Sequence, residues 1–187
     1  MKSYYVWSPD RDERFCRVEW ALTDASGEAT TTYNGIPPER LPARLRAILE
    51  GGPVVPHFVY YMGLMVIASS DVVDVVKTQG AASSVTIVPV ELVRKRPQKT
   101  YEYFLINPLR SIPLLDHERS IFKRSAAGVY RNIKKFVVRD DIDPQDEILI
   151  CDEIGQTLFS ARLVDAFRRA SFDGASFTPL EEYRTLL

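Results

Sequence analysis

Few residues in this 187-residue chain combine type and spacing in a way that could do chemistry. The two histidines, His57 and His117, are the natural general-base candidates. A serine–histidine–carboxylate arrangement needs a nucleophile held on a sharp turn beside its base, and neither histidine stands in such a context; Asp116-His117-Glu118 reads as a polar turn. Ser120 and Lys123 match a Ser-x-x-Lys spacing, but the companion elements of the serine acylases are absent. Asp140, Asp141, Asp143, Asp146 and Glu147 put carboxylates at near-alternating positions, as a calcium loop does, yet the sharp-turn glycine is missing and Pro144 interrupts the spacing. Cys16 and Cys151 lie far apart, and no Cys-x-x-Cys, His-Glu-x-x-His or glycine-rich phosphate loop occurs. These observations predict no catalytic residue, no metal and no cofactor. They favour a binding protein over the alternative, a hydrolase or nuclease whose site is assembled from distant residues.

Charge then carries most of the information. Residues 140–153 hold seven carboxylates and no base: Asp140, Asp141, Asp143, Asp146, Glu147, Asp152 and Glu153. Such a run is either a solvated loop or a surface that steers and holds a basic protein, and we take these seven residues as the expected partner-binding set. Arg94, Lys95, Arg96 and Lys99 form a basic patch followed by Tyr101 and Tyr103, an arrangement similar to basic residues interleaved with aromatics for RNA. The tyrosines also alternate beside Phe104 and Ile106 as strand-packing residues do. With 24 Lys plus Arg against 25 Asp plus Glu, a net charge of −1 and a pI near 6.2, nucleic acid is an unfavoured partner.

The elements that must position these residues follow from pattern. The composition, 45% hydrophobic and 26% charged, is that of an ordinary globular chain, read as a single α+β domain over 1–187. The apolar stretch at 58–68 is about half of the ~20 residues a membrane-spanning helix needs, and the opening residues carry no apolar core of a signal peptide, so the expected location is the cytoplasm. Two thiols in such a chain fit a reducing compartment. Residues 4–7, the alternating set Cys16, Val18, Trp20 and Leu22, and a β-prone run at 30–33 before Asn34-Gly35 predict an N-terminal antiparallel meander within 1–36. Pro37-Pro38 followed by Leu41, Leu45, Ile48 and Leu49 predicts a helix ended by Gly51-Gly52. Ser69 precedes a Val-rich helix, and 84–94 and 101–106 read as antiparallel strands, with Pro89 requiring an edge or a bulge. Residues 133–138, 148–151 and 157–160 are further strands, followed by a helix with Leu163, Val164, Phe167 and Ala170 on one side and a short strand at 176–178.

Two segments, 65–92 and 157–182, resemble each other. Ser69, Val73, Asp74, Lys77, Pro89 and Glu91 correspond, with one gap, to Ser160, Val164, Asp165, Arg168, Pro179 and Glu181. Both read as strand–helix–strand, either by duplication or by convergent patterning. The expected fold is α+β, a mixed and mostly antiparallel sheet with a few helices packed on it, the two similar units sharing that sheet and burying Val85, Ile87, Leu158 and Phe177.

From about residue 38 onward the chain resembles the immunity protein 11 family of bacterial polymorphic toxin systems, formerly a domain of unknown function. The likeness is carried by the Pro-Pro-x-x-Leu start at 37–41, the Ser-initiated helix leading into VTIVPVEL, Asn107-x-Leu109, Leu115-Asp116-x-Glu118-x-Ser120, IKKFVV, and the closing LFSARLVDAFRRASFDGASFTPL. The resemblance implies a non-enzymatic cytoplasmic protein of α+β fold over 37–187 that binds and neutralises a cognate protein toxin.

Overall fold

The computed structural model describes residues 2–18, 22–29, 36–61, 65–126 and 128–184. In chain order the strands are β1 (Tyr4–Pro9), β2 (Cys16–Val18), β3 (Leu45–Gly51), β4 (Phe58–Tyr61), β5 (Val66–Ala68), β6 (Val85–Lys95), β7 (Gln98–Pro108), β8 (Ser111–Ile112), β9 (Ile121–Arg124), β10 (Tyr130–Lys135), β11 (Ile148–Cys151), β12 (Gln156–Ser160) and β13 (Ala175–Pro179). The α-helices are α1 (Ser70–Thr78) and α2 (Ala161–Arg169). The fold is mixed α+β and dominated by strands. It holds a closed six-stranded barrel in the order β2-β3-β6-β7-β5-β4, a five-stranded sheet in the order β13-β1-β12-β11-β8, and the two-stranded ribbon β9–β10.

Several expectations are corrected by strand pairing. The helix predicted after Pro37-Pro38 is one 3₁₀ turn at Pro38–Arg40, and the leucines beyond it belong to β3. Leu45, Ala47 and Leu49 are buried and Arg46 is exposed, a period of two. The same leucines also fit a helical stripe. Pairing with β2 on one side and β6 on the other supplies the ladder bonds that decide the ambiguity. The predicted N-terminal meander is divided, because β1 pairs with β12 and β13 whereas β2 belongs to the barrel. Trp20 and the run at 30–35 lie outside the described residues. The strand predicted at 133–138 starts earlier, at Tyr130, and ends at Lys135, beyond which Val138 makes a lone bridge to Leu115.

The expectation that the two strand–helix–strand segments share one sheet is corrected: they lie in different ones. Each nevertheless has the same connectivity. β5 and β6 both run antiparallel to β7, which lies between them, and β12 and β13 both run antiparallel to β1. Each is therefore a parallel strand pair joined by a helix and split by a third strand. The registers also coincide: Ala68, just before Ser69, pairs with Phe104, which pairs with Pro89, and Phe159, just before Ser160, pairs with Tyr5, which pairs with Pro179. Pro89 has no N–H to give, and the ladder to β3 begins only at Val90, so the proline meets a neighbour on the β7 side alone.

The core has three parts. One fills the barrel, with Leu45, Leu49, Val59, Ile67, Val90, Leu92, Tyr103 and Leu105. A second lies between the helices and the sheets, where Val72 and Val76 of α1 meet Leu163, Val164 and Phe167 of α2 against Trp7, Phe58 and Phe159. Val85 and Leu158 are buried there or nearby, while Ile87 and Phe177 are half-buried against the second cluster. The third covers the opposite face of the five-stranded sheet, where Leu114, Leu115, Ile133 and Phe136 pack on Tyr4, Val6, Leu149, Cys151 and Leu158. With both faces covered, β11 is buried at every position, which is why ILIC has no polar alternation. No helix among the described residues is long and apolar enough to cross a membrane.

Candidate functional site

The third core layer leads to the site. The segment at 113–118, the β9–β10 ribbon and the ends of the acidic connection enclose an open cleft of about 660 Å³. Its lining includes the carboxylates of Asp116, Glu118, Asp141, Asp152 and Glu153 against the guanidiniums of Arg124 and Arg139. Carboxylates distant in sequence are thus added to part of the predicted acidic set.

Local turn chemistry sets the rim. Asp116 accepts the backbone N–H groups of Glu118 and Arg119, both at 2.9 Å, and the Arg119 Nε at 2.6 Å. These bonds, backbone and guanidinium together, hold its carboxyl below the usual range. Arg119 also reaches Asp140 at 2.7 Å, and Arg139 grips Asp141 with contacts of 2.6 and 2.9 Å. Hydrogen bonding to Arg139 lowers the Asp141 carboxyl as well. Asp140, Asp141 and the two arginines reach solvent, where water and salt screen such pairs, so they contribute little to stability.

The seven predicted residues separate into two roles. Asp140, Asp141, Asp143 and Asp152 are exposed, Asp146 is half-buried and paired with Arg110 at 2.9 Å, and Glu147 and Glu153 are buried. Glu153 accepts the backbone N–H groups of Leu114 and Leu115, both at 3.1 Å, and the Cys151 thiol, also at 3.1 Å. It is the acceptor that fastens the cleft wall to the sheet. Glu147 accepts from Lys2 at 2.8 Å, from Arg162 at 2.9 Å and from the Ser160 hydroxyl. Burial pushes this carboxyl up, but the bonds from Lys2 and Ser160 and the adjacent positive charge outweigh it and hold it below the ordinary range. Both glutamates flank β11, the strand buried throughout, and that adjacency was the readable sign of an interior role.

The remaining chemical candidates have structural occupations. Tyr130 Oη lies 2.8 Å from His117 Nε2 inside the cleft, stacked near Phe122 and under Arg124. His57 belongs to a separate place, with Nδ1 2.6 Å from Asp173 and the ring against Phe172, where it joins the approach to β4 with the approach to β13. The Ser120 hydroxyl is held by the Val137 backbone, accepting its N–H at 2.9 Å and donating to its carbonyl at 3.3 Å. In the basic patch, Arg94 is spent on the carbonyls of Gly51, Gly52 and Pro53, and Tyr103 is buried with its hydroxyl donating to Pro56 at 2.8 Å. Cys16 and Cys151 are free, buried thiols whose pKa values burial raises. Among the described residues no group of three or more His, Cys, Asp or Glu could hold a metal ion.

One charge feature escaped the pattern reading. From Arg119 to Arg139 the chain carries seven bases and no acid, and five of them, Lys123, Arg124, Arg131, Lys134 and Lys135, stand on the β9–β10 ribbon. The signal was countable, but it is diluted by apolar residues and is less dense than the acidic run that follows.

Comparison with protein-family models gives a match to the immunity protein family (Imm11) over residues 56–182, about two thirds of the chain. The match starts well after residue 38, so the Pro-Pro-x-x-Leu segment, which forms a single 3₁₀ turn, lies outside it. Every residue lining the cleft lies inside it. No curated protein matches the chain.

Proposed function

Because this chain belongs to the Imm11 immunity protein family, we propose that it acts in the cytoplasm as a non-catalytic binder, a single folded unit that captures and neutralises one cognate toxin of a bacterial polymorphic toxin system. The observation that carries the reading is the carboxylate-lined cleft within the family-matched span, whose rim pairs Arg119–Asp140 and Arg139–Asp141 are exposed. Asp140, Asp141, Asp143 and Asp152, with Asp146 at the margin, are the contact residues of this proposal and favour a basic toxin surface. Glu147 and Glu153 support it from inside. We also read the two split strand–helix–strand units as one duplicated unit, on the strength of their shared register.

The test uses the toxin domain that this reading expects to be encoded beside the chain's gene. Replacing Asp141, Asp143 and Asp152 together with Ser should leave folding nearly unchanged, since all three are exposed. Association with the toxin domain should slow, most clearly at low salt, and protection of cells expressing the toxin should weaken. Unchanged association and full protection would move the interface away from the cleft.

A further inference from the structure

Among the described residues the β9–β10 ribbon is a two-stranded sheet with neither strand paired to another sheet, and its two faces differ. Arg131 stands opposite Lys123 and Lys135 opposite Ile121, so these four side chains share one face, with Lys134 exposed nearby. Lys123, Arg131, Lys134 and Lys135 make no ion pair among the described residues. Ile121 is 55% exposed and Val129, at the ribbon's turn, 53%; these are two of four exposed large apolar residues among those described. The other face is consumed: Phe122 and Tyr130 pack with centroids 5.3 Å apart, both against His117, and Tyr130 and His117 line the cleft.

We propose that the outer face of this ribbon, Lys123, Arg131 and Lys135 around Ile121, docks an acidic surface of the partner protein while the carboxylates of the cleft meet a basic one. The inference rests on the immunity reading and extends its interface to a second, oppositely charged contact. Charge selects an acidic partner. The aromatics decide against single-stranded nucleic acid, because stacking platforms for bases must face outward with the cations, and here both rings of the ribbon are turned in. A β-branched side chain among unpaired bases suits a protein surface, where it fills a desolvated centre and the charges form the rim. A bipolar interface also discriminates among related toxins, since a partner with either charge pattern reversed meets repulsion on one side.

The test compares the full chain with a K123E/R131E/K135E variant, and separately with Ile121→Ser, using the same neighbouring toxin domain as probe. All four positions are exposed, so thermal unfolding followed by circular dichroism should be unchanged. Association of the charge-reversed variant should slow by about tenfold or more at low ionic strength, with the gap narrowing as salt rises. Ile121→Ser should instead speed dissociation. Equal association of wild type and the charge-reversed variant would overturn the ribbon proposal alone. Failure of the wild-type chain to bind the toxin domain would overturn the immunity reading and this inference with it. Binding of a single-stranded oligonucleotide, or self-association in sedimentation, that the variant abolishes would reassign the ribbon to nucleic acid or to a second copy of the chain and overturn the proposal.

Discussion

The two split units use the same register and the same serine at the same place, but only one serine is connected. In the unit around α2, Ser160 ends β12, accepts the N–H of Leu163 as a helix cap and donates to Glu147, which also gathers Lys2 and Arg162. In the unit around α1, Ser69 precedes the helix at the equivalent position, yet its hydroxyl is buried without a hydrogen-bond partner among the described residues. Topology and register can thus be repeated while the polar wiring is not. The second unit's wiring ties α2 to the N-terminal segment and to the acidic connection, and so fixes the base of the surface that carries the cleft. Arg162 also donates to the Gln79 carbonyl just beyond α1, at 2.6 Å, so the wired unit braces the unwired one.

Breaking the wiring at its centre should have the largest effect. Glu147→Ala removes the shared acceptor of Lys2, Arg162 and Ser160 and should destabilise the fold by about 2–3 kcal/mol in chemical denaturation, because charged hydrogen bonds are lost and the buried Ser160 hydroxyl loses its acceptor. The change also carries a pH signature. Glu147 is held below its ordinary range in the folded chain, so its contribution is complete above the ordinary glutamate pKa and is lost as pH falls through the lowered folded value. The stability gap between wild type and Glu147→Gln should accordingly be widest near neutrality and close in acid. A gap that widens in acid would mean that the carboxyl is not the ionised hub described here.

How much of this was legible follows from the kind of signal each residue leaves. The α+β class, both helices, and the β6–β7 pair were readable because the Val-rich and Leu163-to-Phe167 stripes and the alternation at 84–106 agree with what the tertiary fold requires. The β3 strand was not, because Leu45 and Leu49 fit either period and only its neighbours β2 and β6 choose between them. The partition of the units into two sheets was equally hidden, since the strands that split them, β7 and β1, lie outside the matched segments. In the site, the acidic run was visible as charge, but the inward turn of Glu147 and Glu153 depends on Lys2, Arg162 and the Leu114 and Leu115 amides, which are distant along the chain.

An intermediate effect is expected at the serine itself on the wired side. Ser160→Ala removes the cap on Leu163 and one of the donors to Glu147, but leaves Lys2 and Arg162 to hold the carboxylate, so the expected loss is about 1–2 kcal/mol. A double-mutant cycle with Glu147→Ala should give less than the sum of the two single effects, because both variants remove the same bond. Strict additivity would show that the cap alone carries the effect of Ser160.

The smallest effect is the sharpest test of the contrast. At an ordinary helix start, Ser→Ala costs about 1 kcal/mol because the hydroxyl satisfies a helix N–H. The Ser69 hydroxyl makes no such bond, and its backbone duties, the N–H to the His57 carbonyl at 2.8 Å and the carbonyl accepting from Val73 at 3.2 Å, survive in alanine. Removing a buried hydroxyl that has no partner relieves a desolvation cost, so Ser69→Ala should lie within about 0.5 kcal/mol of wild type or on the stabilising side of it. Hydrogen exchange at the first turn of α1 should be unchanged by the same substitution. A loss comparable to that of Ser160→Ala would mean that both units are wired in solution, and the asymmetry that sets the α2 unit apart would be gone.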